Sequence, residues 1–310
     1  MLHDCSVMYE KLFAEGGLSL ERLKTFQEIV AAGGITAAAV NDPNRQSQYS
    51  RQLRELELHF GVELIKRGRG PMKLTAAGQC LHEILGCTFG ALEEYQRGCA
   101  NQPAEWVIGA GESLIQWLVL PRLGALTERQ PRLTLTLENS RTDEIFRGLM
   151  DGGLDFGIVT RLDPSPQFVS LPLARFEYGL FVPASLVSSR RTWRPPSAVL
   201  NELPLAMLHG SPAIREALES EAKAQNLSLD IRLRFSSYPQ LAQAVQCLPV
   251  AAIMPQMAAQ SLRAADVRLV RLPFLDALAR QVSLVWYKKT AEVRPAIASF
   301  SNALAAALRQ

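Results

Sequence analysis

The run from Arg45 to Glu57, Arg-Gln-Ser-Gln-Tyr-Ser-Arg-Gln-Leu-Arg-Glu-Leu-Glu, constrains this chain more than any other stretch. At about 100° per residue a helix gathers Tyr49, Leu53 and Leu56 on one face and Ser47, Arg51 and Arg54 on the other, so one side packs while the other faces outward. The chemistry sits in the first turn. Gln46 and Gln48 are of the residue type that pairs bidentately with adenine in a major groove, Arg45 has the fork for guanine or phosphate, and Ser50, Arg51 and Arg54 suit phosphate oxygens. Asn44 or Asp42, on either side of Pro43, supplies the helix cap. Taken alone, the stretch is more safely read as an ordinary amphipathic surface helix, and its neighbours change that.

Leu20, Leu23, Phe26, Ile29 and Val30 recur at helical spacing behind Ser19, and Gly33-Gly34 ends that helix. A short second helix, Thr36 to Val40, follows, its alanines small enough to lie close against the third, as a helix-turn-helix requires. Phe60 to Thr75 then offers two short apolar segments around a Gly/Arg/Pro turn, a hairpin with Arg67, Arg69 and Lys73 near its tip. Cations there suit a minor groove or the flanking backbone. A winged helix-turn-helix is therefore expected over residues 18–75, and no role attaches to the extension 1–17.

This order of elements resembles the LysR-type transcriptional regulators, a bacterial family of winged helix-turn-helix proteins, over nearly the whole chain. The residues that carry the resemblance are Gln46, Ser50-Arg51-Gln52-Leu53, Leu56-Glu57, Gly61-Val62 with Leu64 and Arg67, and Leu74-Thr75-Ala76-Ala77-Gly78. The family usually has a serine before the glutamine and a small pair after it. Here Arg45 precedes and Ser47-Gln48 follows, behind Asn41-Asp42-Pro43-Asn44, so the operator sequence is not inherited from relatives.

Residues 76–100 read as one long helix. Ala77, Leu81, Ile84, Thr88, Ala91 and Tyr95 alternate spacings of four and three, and Leu85 and Leu92 widen the stripe. Such a stripe either packs on its own chain or pairs with its copy in a second one, and beside a small domain the pairing is the expectation. The resemblance implies the same, because the family's corresponding helix is its dimer linker. A homodimer or homotetramer would present paired recognition helices to a pseudo-palindromic site in double-stranded DNA.

Net charge is only +3 and the pI about 8.6, so DNA affinity is expected to come from local cations and dimerisation rather than from the global field. The first 17 residues lack the apolar core of a signal peptide and no segment has the roughly 18 uninterrupted apolar residues of a membrane helix, so a cytoplasmic protein is expected. The cysteines Cys5, Cys80, Cys87, Cys99 and Cys247 form no metal spacing with His3, His59, His82 and His209. Cys80 and Cys87, seven apart on one helix, read as reduced packing residues rather than a redox switch, with a bond across a dimer seam as the alternative, and neither metal nor cofactor is expected.

Residues 101–310 read as a second, α/β domain, entered through a hinge at Asn101 to Ala104. Strand Trp106–Ala110, a helix from Leu114 to Gln130, strand Leu133–Leu137, helix Asp143–Asp151 and strand Leu154–Val159 suggest βαβ units on a parallel sheet. A second set runs through Tyr178–Val182, Leu205–Leu208, helix Pro212–Gln225, Leu229–Phe235 and Val250–Met254. A return strand Val282–Tyr287 and a last helix Pro295–Leu308 rejoin the first set, giving two lobes and a cleft. This resembles the family's effector-binding domain, itself similar to periplasmic solute-binding proteins. Strand-to-helix junctions aim free backbone N–H groups at such a cleft, where a small anion such as a carboxylate would sit. The polar residues at those junctions are Ser113, Asn139, Ser140, Thr160, Arg161, His209 and Ser211. Each alone is equally explained as a helix cap; as a set they point to a small-molecule effector.

Other readings fit less well. Leu248-Pro249-Val250 stands where the family commonly has a glycine-containing turn, which leaves room for a reshaped or empty cleft and a ligand-independent regulator. Gly109-Ala110-Gly111 begins a dinucleotide fingerprint but Leu114 replaces its third glycine, and Gly111-Glu112-Ser113 begins a nucleophile elbow that Ile115 does not close. A Rossmann enzyme is the poorer account and no catalysis is expected. A stand-alone solute-binding protein would not carry the first hundred residues.

Overall fold

The computed structural model describes residues 16–66, 71–163, 165–187 and 196–309, together with residues 9 and 12. It divides into two compact units, Met1–Tyr95 with Met150–Gly152, and Gln96–Leu149 with Gly153–Gln310.

The first unit is built from α1 (Leu20–Ala31), the four-residue α2 (Ile35–Ala38), α3 (Pro43–Phe60), a minimal hairpin β1 (Ile65–Lys66) and β2 (Lys73–Leu74), and the start of α4 (Ala76–Cys99). Ser19 caps α1 by accepting from the Arg22 N–H at 3.2 Å, and Gly61, at φ +66°, ends α3 in the left-handed conformation that closes helices. Phe26, Ile29, Tyr49, Leu53, Leu56, Leu64 and Leu85 are buried together, with Ala77, Leu81 and Phe89 of α4 packed against them. Each such side chain contributes about 1.5–3 kcal/mol on leaving water. Gly78 permits this packing, since a Cβ there would lie 2.0 Å from the Leu64 carbonyl oxygen.

The second unit holds two five-stranded sheets. The strands are β3 (Glu105–Ala110), β4 (Thr134–Asn139), β5 (Phe156–Val159), β6 (Phe168–Phe176), β7 (Tyr178–Pro183), β8 (Leu205–Leu208), β9 (Ile231–Phe235), β10 (Ala251–Pro255), β11 (Val267–Val270) and β12 (Arg280–Tyr287). Lobe 1 has the order β4-β3-β5-β12-β6 and lobe 2 the order β9-β8-β10-β7-β11. In each, the first three strands are parallel and the last two antiparallel to their neighbours. The sheets are therefore mixed where the sequence suggested parallel ones, because the chain crosses between lobes twice and each crossing adds reversed strands.

Helices α5 (Glu112–Leu114), α6 (Leu123–Arg129), α7 (Thr142–Asp151), α8 (Pro212–Ala224), α9 (Tyr238–Cys247), α10 (Lys288–Val293) and α11 (Ala296–Arg309) cover the sheets. The expected helix from Leu114 to Gln130 is broken into α5, a π-turn at Ile115–Val119, a 3-10 turn at Leu120–Arg122, and α6. Pro121 is the cause: it has no N–H for the carbonyl one turn back. The Leu120 N–H reaches Ile115 O, and the Arg122 guanidinium donates to Trp117 O at 3.4 Å and Leu118 O at 3.2 Å. Trp117, on this lobe 1 segment, is 1% exposed and packs among Phe181, Leu241, Val245 and Met254 of lobe 2. Lobe 1 has its own core around Trp106, Phe156, Trp286 and Phe300. There the Arg294 guanidinium pairs with buried Asp155 and lies 5.1 Å over the Trp106 ring, while Asp155 accepts from the Val107 N–H at 2.8 Å.

Candidate nucleic-acid interface and interlobe cleft

Asp42 caps α3, its Oδ1 accepting from Asn44 N at 2.9 Å and Arg45 N at 3.4 Å, with Pro43 as the first helical residue. The turn into it is tight. Val40 and Asn41 both take the left-handed conformation, at φ +52° and +61°. Tyr49, Gln52, Leu53 and Leu56 face the core, which leaves Ser47, Gln48, Arg51 and Arg54 exposed and Gln46 and Ser50 half-buried.

Several of these side chains are already engaged. The Gln46 amide donates to Thr36 Oγ1 at 3.2 Å, across to α2, and Arg51 pairs with Glu55 at 3.8 Å. Arg45 bends back over its own helix, its Nε donating to the Tyr49 hydroxyl at 3.0 Å and its Nη2 lying 3.9 Å from Glu28 on α1. The Tyr49 hydroxyl donates to the same Glu28 carboxylate, and Lys24 approaches its other oxygen at 3.5 Å. The bond from Tyr49 holds Glu28 below the usual carboxylate range, and conversely raises the Tyr49 phenol. Thr36, Ser50, Arg54 and Lys66 line a hollow of about 670 Å³ between α2, α3 and the hairpin. Lys73 is exposed on β2, while Arg67 and Arg69 lie outside the described residues.

On α4 the expected seam divides. Leu85 is buried and Ala77 and Leu81 pack on the first unit's own core, whereas Ile84, Leu92 and Tyr95 remain exposed, the last at 74%, with Ala91 half-buried. The helix stripe thus serves two purposes along its length: its start closes the small domain and its outer face is left over.

The cleft between the lobes encloses about 830 Å³. Of the residues expected there, Ser113, Asn139, Ser140, Thr160 and Ser211 line it. Arg161 does not, its guanidinium pairing with Asp143, and His209 faces a separate depression with Arg215 and Arg234. The sequence reading missed Tyr178, Ser237, Tyr238 and Arg280, which also line the cleft. Ser237 caps α9 through Gln240 N, and Ser237-Tyr238-Pro239-Gln240 is a cap-to-N3 pattern with Pro at N2 that would have revealed the helix.

Tyr178 and Tyr238 lie with ring centroids 6.4 Å apart, and both line the cleft beside Ser211. Burial raises both phenols, that of Tyr238 strongly, and the positive charge of Arg280 opposes the rise in each. Both stay protonated donors at neutral pH. Ser211 stands at the N-cap of α8 without capping it, and neither α8 nor α9 has an acidic residue in its first turn. Opposite them, α7 begins with Asp143 and Glu144, and the Glu144 carboxylate accepts from the Arg141 N–H at 2.7 Å. Helix N–H groups, two phenols and the Arg280 guanidinium thus line the lobe 2 side of the cleft, and Arg141 adds a second guanidinium to its lining. Among the described residues no cluster of His, Cys, Asp and Glu could hold a metal ion, and no helix is long and apolar enough to cross a membrane.

Comparison with known proteins covers both units. Residues 20–79 match the family described as bacterial regulatory helix-turn-helix protein, lysR family, and residues 102–309 match the LysR substrate binding domain. A probable hydrogen peroxide-inducible genes activator of Mycobacterium leprae is 27% identical over 76% of this chain and 78% of its own. Among solved structures, ArgP from Mycobacterium tuberculosis superposes with a TM-score of 0.66 at 19% identity, covering 94% of this chain and 97% of that one. Full-length LysG from Corynebacterium glutamicum, solved with bound effector Arg, gives 0.61 at 17% identity over 94% and 98%.

Proposed function

We propose that this chain, which belongs to the LysR family of DNA-binding transcriptional regulators, adjusts its DNA binding to the occupancy of its interlobe cleft by a small anionic molecule. The family regulates transcription rather than catalysing a reaction, and its substrate-binding domain matches residues 102–309, the range that holds both five-stranded sheets. What supports an anion is the convergence of Arg280, the Tyr178 and Tyr238 hydroxyls and the two acid-free helix starts at Ser211 and Ser237 on one end of the cleft. A thermal-shift panel of small carboxylates beside their uncharged amides tests it, since a ligand that binds only the folded protein raises the melting temperature with its concentration over its dissociation constant. Shifts confined to the carboxylates are expected; a panel in which only neutral or cationic compounds act refutes the anion site.

DNA contact is assigned to Arg45, Gln46, Ser47, Gln48, Ser50, Arg51 and Arg54 on α3 with Lys73 on the hairpin, and the chain pairs with a second copy through the outer face of α4. That face is self-complementary. With two copies antiparallel, Ile84 stands level with Tyr95 and Thr88 with Ala91, so one two-fold axis pairs the exposed ends of the stripe, with Leu92 beside the Thr88–Ala91 level. Ile84→Glu with Tyr95→Glu should give monomers in sedimentation while leaving the first unit folded. A double mutant that stays dimeric at low concentration places the seam elsewhere.

A further inference from the structure

The departure of this chain from its family at Arg45 is answered by two other side chains. A guanidinium has two usable edges, a side edge of Nε and Nη2 and an end edge of Nη1 and Nη2. In Arg45 the side edge is taken: Nε donates to the Tyr49 hydroxyl at 3.0 Å, Nη2 lies 3.9 Å from the Glu28 carboxylate, and the group rests 5.2 Å from the centre of the Tyr49 ring. Tyr49 is itself fixed, 5% exposed and hydrogen-bonded to Glu28. The side chain of Arg45 nevertheless remains 47% exposed, in the first turn of α3 and beside Gln46, which is in turn held by Thr36.

We infer that Glu28 and Tyr49 are positioning residues that aim the end edge of Arg45 at a guanine, making Arg45 a determinant of operator sequence rather than a general phosphate contact. The inference rests on α3 being the DNA-reading helix. An arginine free to swing finds any phosphate and adds affinity to every duplex alike, whereas one locked along its side edge presents two parallel donors in the geometry of guanine O6 and N7. Glu28 also cancels part of the arginine's charge, so the held arginine contributes less to sequence-independent attraction. The carboxylate, the phenol and the arginine come from α1 and from two successive turns of α3, so the pose is fixed across the helix-turn-helix itself.

The experiment selects duplexes from a random library with the full-length protein, then titrates the selected duplex and a scrambled one at several salt concentrations. Arg45→Ala should lose the guanine preference at one position of each half-site, about five- to hundredfold, with the other positions unchanged. Glu28→Gln should weaken preference at that same position, bind scrambled DNA as well or better, and steepen the slope of log affinity against log salt by about one, because the released cation now finds phosphate. Tyr49→Phe keeps the ring and removes the hydroxyl; it should move both readouts the same way and serves if Glu28→Gln does not fold. A merely structural role predicts instead an equal loss on every duplex. The inference fails if Arg45→Ala leaves every base preference intact, or if Glu28→Gln and Tyr49→Phe lower all affinities equally with the guanine preference retained. Should Gln46→Ala and Arg51→Ala also leave DNA binding untouched, α3 is not the reading helix and the underlying surface is refuted with it.

Discussion

The two lobes share one strand order and one pattern of strand directions, yet they meet the cleft with opposite character. Lobe 1 brings a helix whose first turn carries Asp143 and Glu144, and the N–H groups at its start are partly answered by Glu144 itself. Lobe 2 brings two helices that start at Ser211-Pro212 and Ser237-Tyr238-Pro239 with no acid in the first turn. Shared topology therefore fixes where helix ends point, and the residues of the first turn decide what they attract. The lobes also differ inside. Lobe 1 buries the Asp155–Arg294 pair, and among the described residues lobe 2 has no buried charged side chain of that kind.

That interior difference yields the largest expected effect. Arg294→Met leaves Asp155 buried without its cation and should cost about 3–5 kcal/mol of stability, read as a lower urea midpoint, whereas Asp155→Leu added to it should restore much of the loss. If Arg294→Met costs under about 1 kcal/mol, the pair does not distinguish the lobes. Next, Arg280→Ala should weaken an anionic ligand by about 1.5–3 kcal/mol, the usual worth of a hydrogen bond to a charged group, measured by titration calorimetry with a carboxylate that shifts the melting curve. An unchanged affinity would move the anion end away from the crossover. The smallest effect separates the two walls directly: Ser211→Ala should cost the same ligand about 1 kcal/mol, and Ser140→Ala close to nothing, since the helix beside Ser140 already has its acids. The reverse order would give the anion to lobe 1.

How much of this was readable depended on whether the signal was local. The start of α3 was legible because Asp42, Pro43 and the glutamines sit within two turns of each other, and the resemblance to LysR-type regulators drew on this helix together with Gly61 to Gly78. The hairpin, α4 and most strands were legible for the same reason. The strand Phe168–Phe176 was hidden by Pro172, which a pattern of alternation does not tolerate and an edge strand does. A cation for the cleft was sought at Arg161, next in sequence to Thr160, but the arginines that line it are Arg141 and Arg280, the latter on a strand that returns from the far lobe. Such proximity is a property of topology and leaves no mark in local pattern. The α4 stripe shows a third kind of limit: periodicity marks an apolar face, and Leu81, Leu85 and Ile84 look alike in it although the chain's own core buries Leu85 and leaves Ile84 exposed.

Trp117 belongs to one lobe by sequence and to the other by packing. An indole anchored in that way works as a pin: drawing it out would expose a side chain whose loss typically costs about 3–5 kcal/mol, more than most effectors have to spare. A motion of the lobes that keeps the ring in its seat would therefore have to turn about it, close to the π-turn at Ile115–Val119. Trp117 in that sense fastens one lobe to the other at a single seat.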